Sequence, residues 1–153
     1  MLREFGTLCL APVVLLGYMT NFEIRNRVST PTSMSGTVLQ VQSCERGLGV
    51  DVKVSSVGIY GADLQYGVQW VPEESYTVTL TPRLGISYVD HPVHELPQRA
   101  QFGLGGALTL GYKHARIGLE WWHASNGRAL GLNVSDKPNI GVDMVAIMGG
   151  WSF

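Results

Sequence analysis

Two residues near the end of one segment, His123 and Ser125, carry side chains suited to acid–base and nucleophilic chemistry, and they stand two apart in the chain. On a β-strand that spacing puts both on one face, roughly 7 Å apart at the backbone. An imidazole and a hydroxyl that lean together from such positions form the base–nucleophile pair used in acyl transfer. The pair needs an acid to fix the imidazole tautomer and to stabilise the imidazolium. Asp143 begins the face that continues through Val145 and Ile147 in the next candidate strand, so it is the expected acid. Asn126 directly follows the nucleophile and Asn139 precedes the acid strand. Either amide could donate to an oxyanion, an interaction worth about 3 kcal/mol when preorganised, and either suits a turn. Asn126 is expected to be functional and Asn139 structural, while Gly127 either gives its N–H to the oxyanion or lets the loop turn.

These residues need strands to hold them, and period-two alternation supplies the strands. Tyr60, Ala62, Leu64, Tyr66, Val68 and Trp70 alternate with Gly61, Asp63, Gln65, Gly67 and Gln69. The pattern recurs from Tyr76 to Tyr88, from Gln101 to Tyr112, from Arg116 to Trp121 and over the last residues to Phe153. Gly36 to Ser43 and Gly47 to Ser55 are shorter candidates, Phe22 to Val28 a weak one. Pro82 lacks a ladder donor, which predicts a bulge. About eight strands of near ten residues, with no convincing helical period, predict an all-β, eight-stranded antiparallel up-and-down barrel.

Alternation does not say which face points inward. The polar face is rich in Gly, Thr, Ser and Gln with single charges at Asp63, Arg83 and Glu120, which suits a narrow lumen in which those charges pair. Aromatics gather near strand ends, at Tyr60, Trp70, Tyr76, Tyr88, Tyr112, Trp121 and Trp151, where interfacial belts form. The expectation is a transmembrane barrel with its apolar face outward; a lipocalin-like soluble barrel is the alternative.

Composition agrees. The 153 residues are 45% apolar and only 15% charged, with a net charge of -1, which excludes disorder and gives no basic field for nucleic acid. The apolar run Leu8 to Met19 is too short for a spanning helix and contains Pro12 and Gly17. With Arg3 ahead of it, it reads as a degenerate signal peptide within residues 1–20, leaving 21–153 as the barrel; a first buried strand is the alternative. Cys9 would leave with such a signal and Cys44 would stand alone, so no disulfide framework is expected. Asp90, His91, His94 and Glu95 bunch in a Pro-containing loop without a scaffold for a metal site. His114, beside Lys113 and Arg116, reads as solvated, or as part of a basic rim. Arg128 and Lys137 flank the candidate site and could meet phosphates, or simply be solvated.

The run His123-Ala124-Ser125-Asn126-Gly127, followed by Pro138-Asn139-Ile140-Gly141-Val142-Asp143 and a final aromatic strand, resembles the lipid A 3-O-deacylase (PagL) family of Gram-negative outer membranes. The motif-level likeness covers roughly the last forty residues. It implies a barrel in the outer membrane whose site faces the outer leaflet from the exterior. It also implies that His123 and Ser125 are catalytic with Asp143 completing the triad, although the family carries Glu at that position and has a shorter connection than Arg128 to Lys137. The implied activity is hydrolysis of an ester-linked acyl chain of lipopolysaccharide, most simply the 3-O chain, by a serine esterase that uses no metal or organic cofactor. Its partners would be lipid A and membrane lipids, with a homodimer left open. The rival expectation is a catalytically silent outer-membrane barrel with a structural or adhesion role.

Overall fold

The computed structural model describes residues 11–22, 34–73, 75–92, 99–125 and 141–153. Eight strands follow in chain order: β1 Val13–Phe22, β2 Gly36–Gln42, β3 Gly47–Ser55, β4 Ile59–Glu73, β5 Tyr76–Val89, β6 Ala100–Tyr112, β7 Ala115–Ser125 and β8 Val142–Ser152. Each pairs antiparallel with its neighbours and β8 closes on β1, so the sheet is a complete barrel without edges.

The apolar face points outward. Leu64, Ile86 and Ile147 are each more than 60% exposed, and Leu16, Leu84, Leu104, Leu110 and Ile117 stand on the same outer wall. Such a wall in water would forfeit the burial that drives folding, so the barrel is built for a lipid surround, in which a closed strand ladder pairs its backbone groups internally. Tyrosines and tryptophans ring both ends. Tyr60 and Tyr88 lie at one, their rings 6.5 Å apart. Trp70, Tyr76, Tyr112 and Trp151 lie at the other, where Tyr76 and Tyr112 are 4.9 Å apart and His114 stacks on Trp151 at 5.5 Å.

The inward face is layered. At mid-height Lys53 Nζ lies 2.7 Å from Glu120 and 2.8 Å from Asp63, and Arg83 lies 2.6 Å from Glu120 and 3.4 Å from Asp51. Gln40 donates to Asp51 at 2.7 Å. Asp63, Arg83 and Glu120 are therefore in the lumen as the alternation implies. Asp51 and Lys53, from the short β3 pattern, join them. Toward the end formed by the β1–β2, β3–β4, β5–β6 and β7–β8 connections the interior turns apolar, with Met19, Val38, Ile59, Trp122 and Met144. This departs from the expected all-polar lumen. A cavity of about 20 Å³ remains between the two layers. Near the opposite end the Arg116 guanidinium pairs with Glu45, including an Nη2–Oε2 contact of 2.7 Å. Cys44 is buried nearby, its thiol donating to the carbonyl of Arg46 at 3.3 Å.

Two sequence expectations need correction. The stretch assigned to a degenerate signal supplies β1 from Val13 onward, so the barrel begins before residue 21. Val13, Leu15 and Met19 point into the lumen while Leu16 and Tyr18 point out. With both faces apolar the alternation disappears, and the strand looks like a continuous greasy run. The weak strand from Phe22 has only its first residue in β1; residues 23–28 lie outside the described residues. Pro82 causes no bulge: pairing of β4 with β5 keeps one register from Gln65↔Arg83 to Val68↔Leu80, and the shift falls at the strand end between Trp70 and Glu73.

Connections sort by length. The strand ends that flank 23–35, 90–99 and 126–141, together with the turn 56–58, lie at one end of the barrel. The turns 43–46 and 113–114 lie at the other, with the end of β4, the start of β5, the start of β1 and the end of β8. Ser125, last in β7, and Asp143, second in β8, are on the rim that carries the long connections.

Candidate active site

Strand β7 turns Glu120, Trp122 and Ala124 inward and Ile117, Leu119 and Trp121 outward, and His123 and Ser125 continue the outward row with partial exposure. In β8 the inward residues are Val142, Met144, Ala146 and Met148, so Asp143, Val145 and Ile147 share the outer wall. The register sets His123 directly opposite Asp143. Directly opposed residues bring their side chains into contact on one face, which lets a carboxylate as short as Asp reach the ring without the extra methylene of Glu.

His123 Nδ1 lies 3.1 Å from Asp143 Oδ1. An ionised carboxylate only accepts, so Nδ1 holds the proton and donates it, and Nε2 is left as the base. The two side chains are 33% and 23% exposed, accessible from outside the wall yet partly sheltered. Ser125, two residues farther along the same face, pairs with Phe102 of β6, and Leu104 stands opposite His123. Apolar side chains thus border a base and a hydroxyl, an arrangement able to hold an acyl chain beside a nucleophile.

The structure adds two neighbours of the His123–Asp143 pair that sequence reasoning did not single out. Trp121 was read as a member of an aromatic belt and of the apolar stripe with Ile117 and Leu119, but its indole Nε1 donates to the same Asp143 Oδ1 at 3.1 Å. The available signal was its place two residues before His123 on the same face. Gly141 was quoted only as part of a motif. It has φ +74°, a conformation that favours glycine, and a Cβ there would sit 2.7 Å from His123 Cε1 and 2.9 Å from Nε2. Its missing side chain leaves space at the basic nitrogen.

Asn126, Gly127 and Asn139, the expected oxyanion or turn residues, lie outside the described residues, as do Arg128 and Lys137. His94 and Glu95 also lie outside them, while Asp90 and His91 approach to 3.6 Å. Among the described residues no group of three or more His, Cys, Asp and Glu side chains is placed to hold a metal.

No family model matches the chain, and no curated protein matches it. Among solved structures it is similar to Ail, the attachment invasion locus protein of Yersinia pestis, in complex with the heparin analogue sucrose octasulfate. That match has 13% identity and a TM-score of 0.48, and covers 94% of this chain and 98% of that one. A second structure of Ail gives 13% identity, a TM-score of 0.44, and coverage of 95% and 100%. The fold assignment rests on this chain's own closed strand pairing and outward apolar wall.

Proposed function

We propose that the protein is a membrane-embedded serine esterase of the lipid A 3-O-deacylase kind, which removes an ester-linked acyl chain from lipopolysaccharide. The observation that carries this reading is the 3.1 Å contact of His123 Nδ1 with Asp143 on the outer wall, with Ser125 next along the same face. Ser125 Oγ attacks the ester carbonyl as its proton passes to His123 Nε2. The tetrahedral intermediate then breaks the ester C–O bond, and the imidazolium returns the proton to the leaving sugar hydroxyl. Water, deprotonated by the same nitrogen, releases the fatty acid from the acyl-enzyme. Asp143 remains ionised throughout and holds the ring. Phe102 and Leu104, the β6 partners of Ser125 and His123, border the reacting groups, so apolar contact helps to position the ester.

An outer-membrane location in a Gram-negative bacterium is supported by the distribution of connections. Bacterial barrels of this kind have short periplasmic turns and longer outer loops, which puts the rim bearing Ser125 toward the outer leaflet, where lipopolysaccharide would be.

The test is a fluorophosphonate probe on protein folded in detergent. The expected result is an adduct on the peptide containing Ser125 and none in His123→Ala. A folded wild-type barrel that takes no probe overturns the esterase and favours the second reading, a catalytically silent barrel of structural or adhesive role. Ail, named for attachment and seen with a sulfated heparin analogue, is the kind of protein that reading would set beside this chain.

A further inference from the structure

A second feature of the outer wall begins next to Ser125 and leads away from Asp143. Cross-strand pairing gives a row from Ser125 through Phe102, Ile86 and Ala62 to Val52. It spans four inter-strand steps, about 19 Å at about 4.8 Å each. One step nearer the rim runs a parallel row of Ala100, Tyr88, Tyr60 and Val54. Together the rows border a groove of about 520 Å³. Its shape follows from side-chain size: Ala62 lies between Val52 and Ile86, and Ala100 lies beside Tyr88, so two methyl groups are set among larger neighbours.

At the rim end of this groove stands Arg99, immediately before β6 and exposed. Its Nη1 donates to the Tyr88 hydroxyl at 2.7 Å, and the guanidinium lies 6.0 Å from the Tyr88 ring. Tyr88 thereby holds a cation at the level where an aromatic belt meets headgroups. A guanidinium has five N–H donors in a planar fork that matches phosphate oxygens, and most of them remain after the single bond to tyrosine. An apolar trough with a fixed cation at its rim end is complementary to an amphiphile that carries a phosphate next to long acyl chains.

We propose that this groove and Arg99 bind a phosphorylated acyl glycolipid, with an acyl chain along Ala62 and a phosphate on Arg99. The inference rests on the esterase reading for the identity of the lipid, and assigns the groove a role in that reaction. Arg99 is three residues from Phe102 along β6, about 10 Å at strand rise, so a lipid held there by its phosphate presents another of its chains to Ser125. Arg99 and Ala62 are then specificity residues for a multiply acylated, phosphorylated substrate, and a small ester without phosphate makes no use of them.

The experiment compares wild type with Arg99→Ala and Ala62→Phe, the second filling the groove from a lipid-facing position that tolerates apolar bulk. Cleavage of lipid A and of nitrophenyl butyrate is measured in the same micelles. Native mass spectrometry records how much lipid A each protein retains. The expected result is at least a tenfold fall in the ratio of lipid A cleavage to butyrate cleavage in both variants, with loss of retained lipid A. An unchanged ratio, or equal retention by all three proteins, overturns the proposal. If wild type cleaves neither substrate the esterase reading fails, and retention decides the groove alone: lipid A held by wild type and lost from both variants supports it, and equal retention overturns it. Retention of phosphatidylglycerol equal to that of lipid A overturns the assignment to a glycolipid.

Discussion

Trp121 and His123 meet at one carboxylate oxygen: the indole Nε1 and the imidazole Nδ1 each lie 3.1 Å from Asp143 Oδ1. Asp143 is directly opposite His123 in the ladder, while Trp121 pairs with Val145 and so reaches Asp143 on the diagonal. On a wall surrounded by hydrocarbon a carboxylate has little water to solvate it, and two N–H donors take over part of that work. A residue suited to an interfacial belt thereby becomes a positioning residue for the acid.

Removing only the indole donor tests that role. Trp121→Phe keeps an aromatic ring on the outer wall but takes one charge-assisted hydrogen bond from Asp143, worth about 1.5–3 kcal/mol. The expected loss in kcat is about 10- to 100-fold, with KM changed much less, in steady-state hydrolysis of a nitrophenyl ester. An unaltered kcat would make the indole a belt residue only.

Gly141→Ala should be more damaging than its size suggests. The backbone there has φ +74°, and the new methyl would lie 2.9 Å from the nitrogen assigned as base. Fluorophosphonate labelling of Ser125 is expected to fall at least tenfold while circular dichroism still reports a folded barrel. Labelling at the wild-type rate would show that the space above Nε2 is not needed.

The lumen makes a separate prediction about stability. Lys53 faces Glu120, Asp63 and Asp51 at 2.7, 2.8 and 3.7 Å. Lys53→Met would leave three carboxylates to Arg83 alone, and stranding buried charge in this way costs about 3–5 kcal/mol. Urea unfolding in lipid vesicles should show that loss, and adding Asp63→Leu should restore part of it. A single variant as stable as wild type would mean that the cluster is dispensable.

The parts of this molecule that were legible in its sequence are those where one face is apolar and the other is not. β4 to β7 show period two because Leu64, Leu84, Leu104 and Leu119 meet lipid while Asp63, Arg83 and Glu120 join one ion-pair cluster through Lys53 in the lumen. β1 was misread for the opposite reason: its inner face is itself apolar along the strand, so Val13, Leu15 and Met19 cancel the contrast with Leu16 and Tyr18. Within the candidate site the shared face of His123 and Ser125 follows from spacing two apart. The contact with Asp143 depends on register across two strands separated by a long connection, and spacing along one chain carries no register. Trp121 escaped notice because an indole at a membrane rim already has a sufficient explanation. Pro82 shows the limit of a rule drawn from soluble sheets. The ladder between β4 and β5 resumes in the same register beyond it, so a missing donor need not insert a residue.

In the proposed reaction Ser125, activated by the pair His123 and Asp143, cuts an acyl ester of lipid A at the barrel's outer wall. The most direct measurement is the mass of lipid A extracted from Gram-negative cells producing the wild-type chain or Ser125→Ala, with both proteins shown to be folded in the outer membrane. The expected result is lipid A lighter by one ester-linked acyl chain with wild type and full-mass lipid A with the variant. Full-mass lipid A from both, or the same acyl loss from both, would contradict it.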